Sequence, residues 1–72
     1  MIDLGDNKIK ALSGLEILPN LEEIYLANNR VEALDSTLRH LPNLRILGAQ
    51  CNSIKKIENL EECLRLEELY LQ

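Results

Sequence analysis

Asn7, Asn29 and Asn52 stand 22 and 23 residues apart in this chain. Leucines keep the same interval: Leu21, Leu44 and Leu66 are separated by 23 and 22 residues. Repetition on this scale constrains a fold more than any local propensity does, because each unit is one supersecondary element that buries its apolar face only by stacking on the next. Set in register, the units read IDLGDNKIKALSGLEILPN, LEEIYLANNRVEALDSTLRHLPN, LRILGAQCNSIKKIENLEECLR and LEELYLQ. They share the skeleton L-x-x-L-x-L-x-x-N-x-I-x-x-L, then leucines spaced as on a tight helical turn. One unit carries an extra residue somewhere between Asp35 and Leu41.

Phased asparagines together with phased leucines resemble the leucine-rich-repeat family, and the resemblance covers essentially the whole chain. The period, the Pro-Asn that closes two units (Pro19-Asn20 and Pro42-Asn43) and the stretch IKKIENLEE are most similar to one subclass of that family. It is typified by the regulatory subunit of type-1 serine/threonine protein phosphatase. Outer-arm dynein light chain and a spliceosomal leucine-rich-repeat protein are similar too. The resemblance implies an α/β leucine-rich-repeat solenoid, with a parallel sheet on the concave side and 3₁₀ or short helical segments on the convex side. Residues 1–72 are expected to form about three repeats plus a final strand, a fragment lacking both polar caps. A solenoid open at both ends exposes core and sheet edges, so the isolated segment is expected to aggregate or fold poorly.

The physical reading gives each residue a side. Alternate strand residues point inward, which assigns Ile2, Leu4, Ile24, Leu26, Leu47, Ala49, Leu69 and Leu71 to the core. The return path adds Ile9, Leu12, Val31, Leu34, Ile54 and Ile57. Leu12, Leu15 and Leu18, three apart, suit a 3₁₀ turn, and Asp35 is placed to cap a brief helix through Ser36–Arg39. Pro19 and Pro42 fit turns that lead back to a strand. Asn7, Asn29 and Asn52 sit where the chain leaves the strand and its backbone lacks a ladder partner. An amide offers both an acceptor and donors, so the three are expected to form a structural asparagine ladder.

Composition narrows the chemistry. The net charge is −4, with no Trp or Phe and only one histidine. An acidic chain is a poor match for nucleic-acid backbone or anionic membrane, and no apolar run is long enough to cross a bilayer. Cys51 and Cys63 make no disulfide framework. They are expected to be free thiols in a reducing compartment, hence an intracellular, cytoplasmic and/or nuclear, location. His40 has no phased partner and reads as a surface residue. Cys63 fills the slot of Leu18 and Leu41 in other units and reads as a small core residue. No metal-ligand spacing, phosphate loop or nucleophile–base pair is present. No catalytic, cofactor or metal residue is assigned, and a non-enzyme is expected.

What the repeat does not require lies on the outward strand positions. By phase, one row holds Met1, Glu23, Ile46 and Glu68, and the next holds Asp3, Tyr25, Gly48 and Tyr70. Beyond them come Asn28 and Gln50. Tyrosine is enriched where proteins dock, having an apolar ring and a polar tip. Candidate protein-binding residues are therefore Asp3, Glu23, Tyr25, Asn28, Ile46, Gln50, Glu68 and Tyr70. Gly48 is expected to leave a gap in the row. Lys8, Lys10, Arg30, Lys55 and Lys56 follow the asparagines, placing most of the cations on one edge. The family resemblance implies a protein partner on the concave face, a phosphatase catalytic subunit in the first instance. A ciliary or cytoskeletal adaptor and a spliceosomal scaffold are the alternatives.

Overall fold

A computed structural model describes all of residues 1–72. Four short strands, β1 (Ile2–Asp3), β2 (Glu23–Tyr25), β3 (Ile46–Gly48) and β4 (Glu68–Tyr70), form one parallel sheet in sequence order. The register is that of the repeat: Ile2 pairs with Ile24, Ile24 with Leu47 and Leu47 with Leu69. Each strand hands on to the next coil through backbone bonds just past its end, from Leu4 N–H to Tyr25 O at 2.7 Å and from Ala49 N–H to Tyr70 O at 2.7 Å. Two 3₁₀ segments, Leu15–Ile17 and Ser36–His40, lie on the return side. The third coil, with no 3₁₀ segment, returns through turns.

The core runs down the axis of the coil: Leu12, Ile24, Leu26, Leu34, Leu38, Leu41, Leu44 and Leu47 are fully buried and Cys63 nearly so. Ile2, Leu4, Leu69 and their neighbours in the outer coils are half-buried against it. Ile57 departs from its expected inward position and is 61 % exposed. Leu18 is exposed as well, although Leu41 and Cys63 in the same phase are buried. Asp35 caps the second 3₁₀ segment, its Oδ1 accepting from Thr37 N–H at 2.9 Å. Its Oδ2 also accepts from Leu12 N–H at 2.9 Å, one coil away. The inserted residue of the second unit is accommodated in this longer, capped segment.

The asparagines bond between coils. Asn29 Oδ1 accepts from Ile9 N–H at 3.0 Å, and Asn52 Oδ1 accepts from Val31 N–H at 3.0 Å. Asn29 Nδ2 donates to Leu4 O and Leu26 O at 3.0 and 2.8 Å, and Asn52 Nδ2 donates to Leu26 O and Ala49 O at 2.9 and 3.1 Å. Asn7 bonds only within its own turn, to Leu4 O and Gly5 O. The carbonyls of Leu4 and Leu26 thus each accept from two amides, one from either coil. The residue ahead of each amide, Asp6, Asn28 or Cys51, takes a left-handed φ of 59°. That sharp turn away from the strand suits Asp and Asn, which tolerate the region.

Candidate protein-docking face

Outward strand residues form two rows across the sheet, fixed by the pairing Glu23–Ile46–Glu68 and Asp3–Tyr25–Gly48–Tyr70. Residues two apart on a strand share a face, so Glu23 and Tyr25 stand side by side, as do Glu68 and Tyr70. The Tyr25 hydroxyl donates to Glu23 Oε1 at 2.7 Å, and the Tyr70 hydroxyl donates to Glu68 Oε1. Each bond stabilises the protonated phenol beside a negative charge, so both tyrosine pKa values rise from the usual value. For Tyr25 the bond to Glu23 is the largest cause, with burial next and the charges of Glu23, Glu68 and Tyr70 after it. For Tyr70 the bond to Glu68 comes first, then its charge and burial. Both phenols are neutral hydrogen-bond donors throughout the physiological range.

Gly48 leaves no gap in this row, contrary to the expectation from its missing side chain. It is buried, and a Cβ built there would lie 3.1 Å from Tyr25 Cδ1 and 3.3 Å from Gln50 Oε1. The Tyr25 ring leans across β3 and occupies the space, so the absence of a side chain on β3 lets the aromatic surface continue toward β4. Ile46 is half-exposed beside it. Asn28 Nδ2 donates to Asp6 Oδ1 at 2.9 Å, which ties the first two coils together at the lip of the face. Asp3 is exposed, with Oδ1 accepting from Gly5 N–H. Gln50 is half-exposed and Glu68 is exposed.

At the edge where the strands begin, Arg45 collects acids from the coils on either side of its own. Its Nε donates to Glu67 Oε2 at 3.0 Å, and its Nη1 lies 3.8 Å from both Glu22 Oε1 and Glu23 Oε2. Adjacent acids are expected to diverge on a strand, yet Glu22 and Glu23 both reach Arg45, because Glu22 lies just before β2. The basic residues Lys8, Lys10, Arg30, Lys55 and Lys56 are all exposed, and only Lys56 among them has an acid within 4.0 Å, Glu58 at 3.8 Å. Asn59 was not legible as a bridging residue from the repeat phase. It donates to Leu34 O at 2.7 Å and accepts from Arg39 Nε at 2.9 Å. No three His, Cys, Asp or Glu side chains stand together as a metal donor set. No helix is long and apolar enough to cross a membrane.

A family model described as leucine-rich repeats (2 copies) matches residues 1–41. The chain belongs to the leucine-rich-repeat family. Among curated relatives it is 37 % identical over 70 residues to the protein phosphatase 1 regulatory inhibitor subunit PPP1R7 homolog of Arabidopsis thaliana, covering 96 % of this chain and 21 % of the relative. It is 38 % identical over 74 residues to the U2 small nuclear ribonucleoprotein A' of Mycosarcoma maydis, covering 97 % of this chain and 30 % of the relative. It is also 35 % identical over 74 residues to the 187-kDa microtubule-associated protein AIR9 of Arabidopsis thaliana, covering 97 % of this chain and 4 % of the relative. The chain therefore spans less than a third of the length of these relatives. No solved structure gives a significant match. The leucine-rich repeats and the relatives that share them support a protein-binding role for the chain.

Proposed function

We propose that this leucine-rich-repeat segment is a non-catalytic docking module, whose concave face holds the catalytic subunit of a type-1 serine/threonine protein phosphatase. The observation that carries the reading is the row of tyrosine–glutamate couples on outward strand positions. Core packing uses none of these side chains, and they stand on a rigid sheet whose register is fixed by the repeat. Asp3, Glu23, Tyr25, Asn28, Ile46, Gln50, Glu68 and Tyr70 are the contact residues. The phosphatase is named by analogy with the regulatory-subunit relative, since fold alone does not choose a partner. A cytoplasmic or nuclear location accords with this role.

The test is capture of purified phosphatase catalytic subunit by immobilised protein, with far-UV circular dichroism as the fold control. Changing Glu23 and Glu68 to Lys, and Tyr25 and Tyr70 to Ala, is expected to abolish capture while leaving the spectrum unchanged. Capture that survives all four changes refutes the concave reading. Similarity to the U2 ribonucleoprotein relative supports a second reading, a scaffold in an RNA particle. Binding that falls steeply with salt and requires Lys55 and Lys56 would favour that reading over the first.

A further inference from the structure

We infer that the concave face receives an arginine side chain of its protein partner, stacked on Tyr25 and Tyr70 and paired with the Glu68 carboxylate. The inference rests on the concave docking reading and adds the chemistry of the contact.

Three observations converge on β2, β3 and β4. Gly48, between the two tyrosines in the pairing register, lets the Tyr25 ring lie across β3 toward Tyr70. The two rings therefore flank a strand position that carries no side chain to separate them. Each hydroxyl donates to a carboxylate, which holds the ring in place and leaves it electron-rich. A cation over such a face is attracted by the ring quadrupole.

The third observation is charge. The ion pairs of the chain join Arg45 to Glu22, Glu23 and Glu67, Arg39 to Glu61, and Lys56 to Glu58. None reaches Glu68 or Asp3. Glu68 spends one oxygen on the Tyr70 hydroxyl and is exposed, so its other oxygen is open to a donor. Arg45 already offsets Glu23, so of the two acids bonded to the tyrosines Glu68 is the one without a cation. A guanidinium matches this arrangement better than an ammonium. It is flat enough to stack on rings while its edge donates to a carboxylate, whereas lysine offers a strongly hydrated point charge.

The chain provides its own reporter. It has two tyrosines and no tryptophan, so tyrosine emission comes only from this patch. The protein is titrated with the peptide acetyl-Gly-Arg-Gly-amide, with its citrulline counterpart, which is isosteric but neutral, and with its lysine counterpart. The arginine peptide is expected to change the emission saturably and the citrulline peptide to leave it unchanged. Glu68→Gln and Tyr70→Leu, each checked by circular dichroism, are expected to weaken the arginine peptide by about tenfold, a step of about 1.4 kcal/mol. Equal response to citrulline, affinity for lysine equal to that for arginine, or variants within twofold of the parent would each overturn the inference. Phosphatase capture by a chain that ignores the arginine peptide removes this inference and spares the docking reading. Arginine binding without phosphatase capture does the reverse.

Discussion

Replacing Asn29 by leucine tests the asparagine ladder most directly, because the side chains are close in size and the loss is almost purely of hydrogen bonds. The Asn29 amide is 8 % exposed. Its Oδ1 is the side-chain partner of Ile9 N–H, and its Nδ2 serves Leu4 O and Leu26 O. The two carbonyls are not orphaned by the change, since Leu4 O keeps Asn7 and Leu26 O keeps Asn52. The Ile9 N–H is left without that acceptor. An unsatisfied, partly buried donor costs about 1–3 kcal/mol, and each lost bond whose acceptor keeps another partner about 0.5–1 kcal/mol. Asn29→Leu should therefore cost about 3 kcal/mol. In a domain of this size that lowers the melting midpoint by roughly 12–24 °C.

Asn7→Leu is the internal control. Asn7 occupies the same phase but is exposed and bonds only to Leu4 O and Gly5 O, which water replaces. Its loss should cost under about 1 kcal/mol. Asn29→Asp separates donation from acceptance. It retains an acceptor for Ile9 N–H but turns an oxygen toward Leu4 O and Leu26 O, and should destabilise as much as leucine does. Urea or thermal unfolding followed by circular dichroism measures all three. If Asn29→Leu costs no more than Asn7→Leu, bonding between coils is not what the asparagines supply.

Four further outcomes follow from the geometry. Asp35→Ala removes both the cap on Thr37 and the bond from Leu12, and should cost about 2 kcal/mol in unfolding experiments, the upper end for a cap alone. Gly48→Ala should move the Tyr25 ring resonances in NMR spectra while those of Tyr70 hold. It should cost about 1–3 kcal/mol, because the added methyl crowds a ring whose hydroxyl is tied to Glu23. Under native conditions Cys51, which is exposed, should be alkylated by iodoacetamide well before Cys63. Burial first, then the charges of Glu61 and Glu62, push the Cys63 thiol pKa up, and mass spectrometry of the labelled peptides reads the order. The tyrosines should ionise above their usual pKa in a spectrophotometric titration. The folded-state pKa is raised, so the stabilisation from these bonds is fully present below the unfolded tyrosine pKa. It is lost as pH rises through the folded value, and Glu68→Gln should lower the Tyr70 midpoint.

The family, the register and the inward side of each strand were legible in the chain itself. A repeat leaves little choice: a coil of 22 or 23 residues buries its leucines only against another coil. The phase that aligns Asn7, Asn29 and Asn52 also aligns Ile2, Ile24 and Leu47. Even the pairing of Glu23 with Tyr25, and of Glu68 with Tyr70, lies in the period of two. Other features depend on where neighbouring coils come to rest. That Gly48 is roofed by Tyr25 and leaves no gap follows from the lean of a ring on the adjacent strand. That Asp35 serves Leu12 as well as its own turn, and that Asn59 bridges to Leu34, depends on backbone groups brought close by stacking across more than twenty residues of sequence. Periodicity assigns a residue to a face because the backbone imposes it at every turn. Which partners a side chain then finds on that face depends on distances between coils, and only the tertiary structure fixes those.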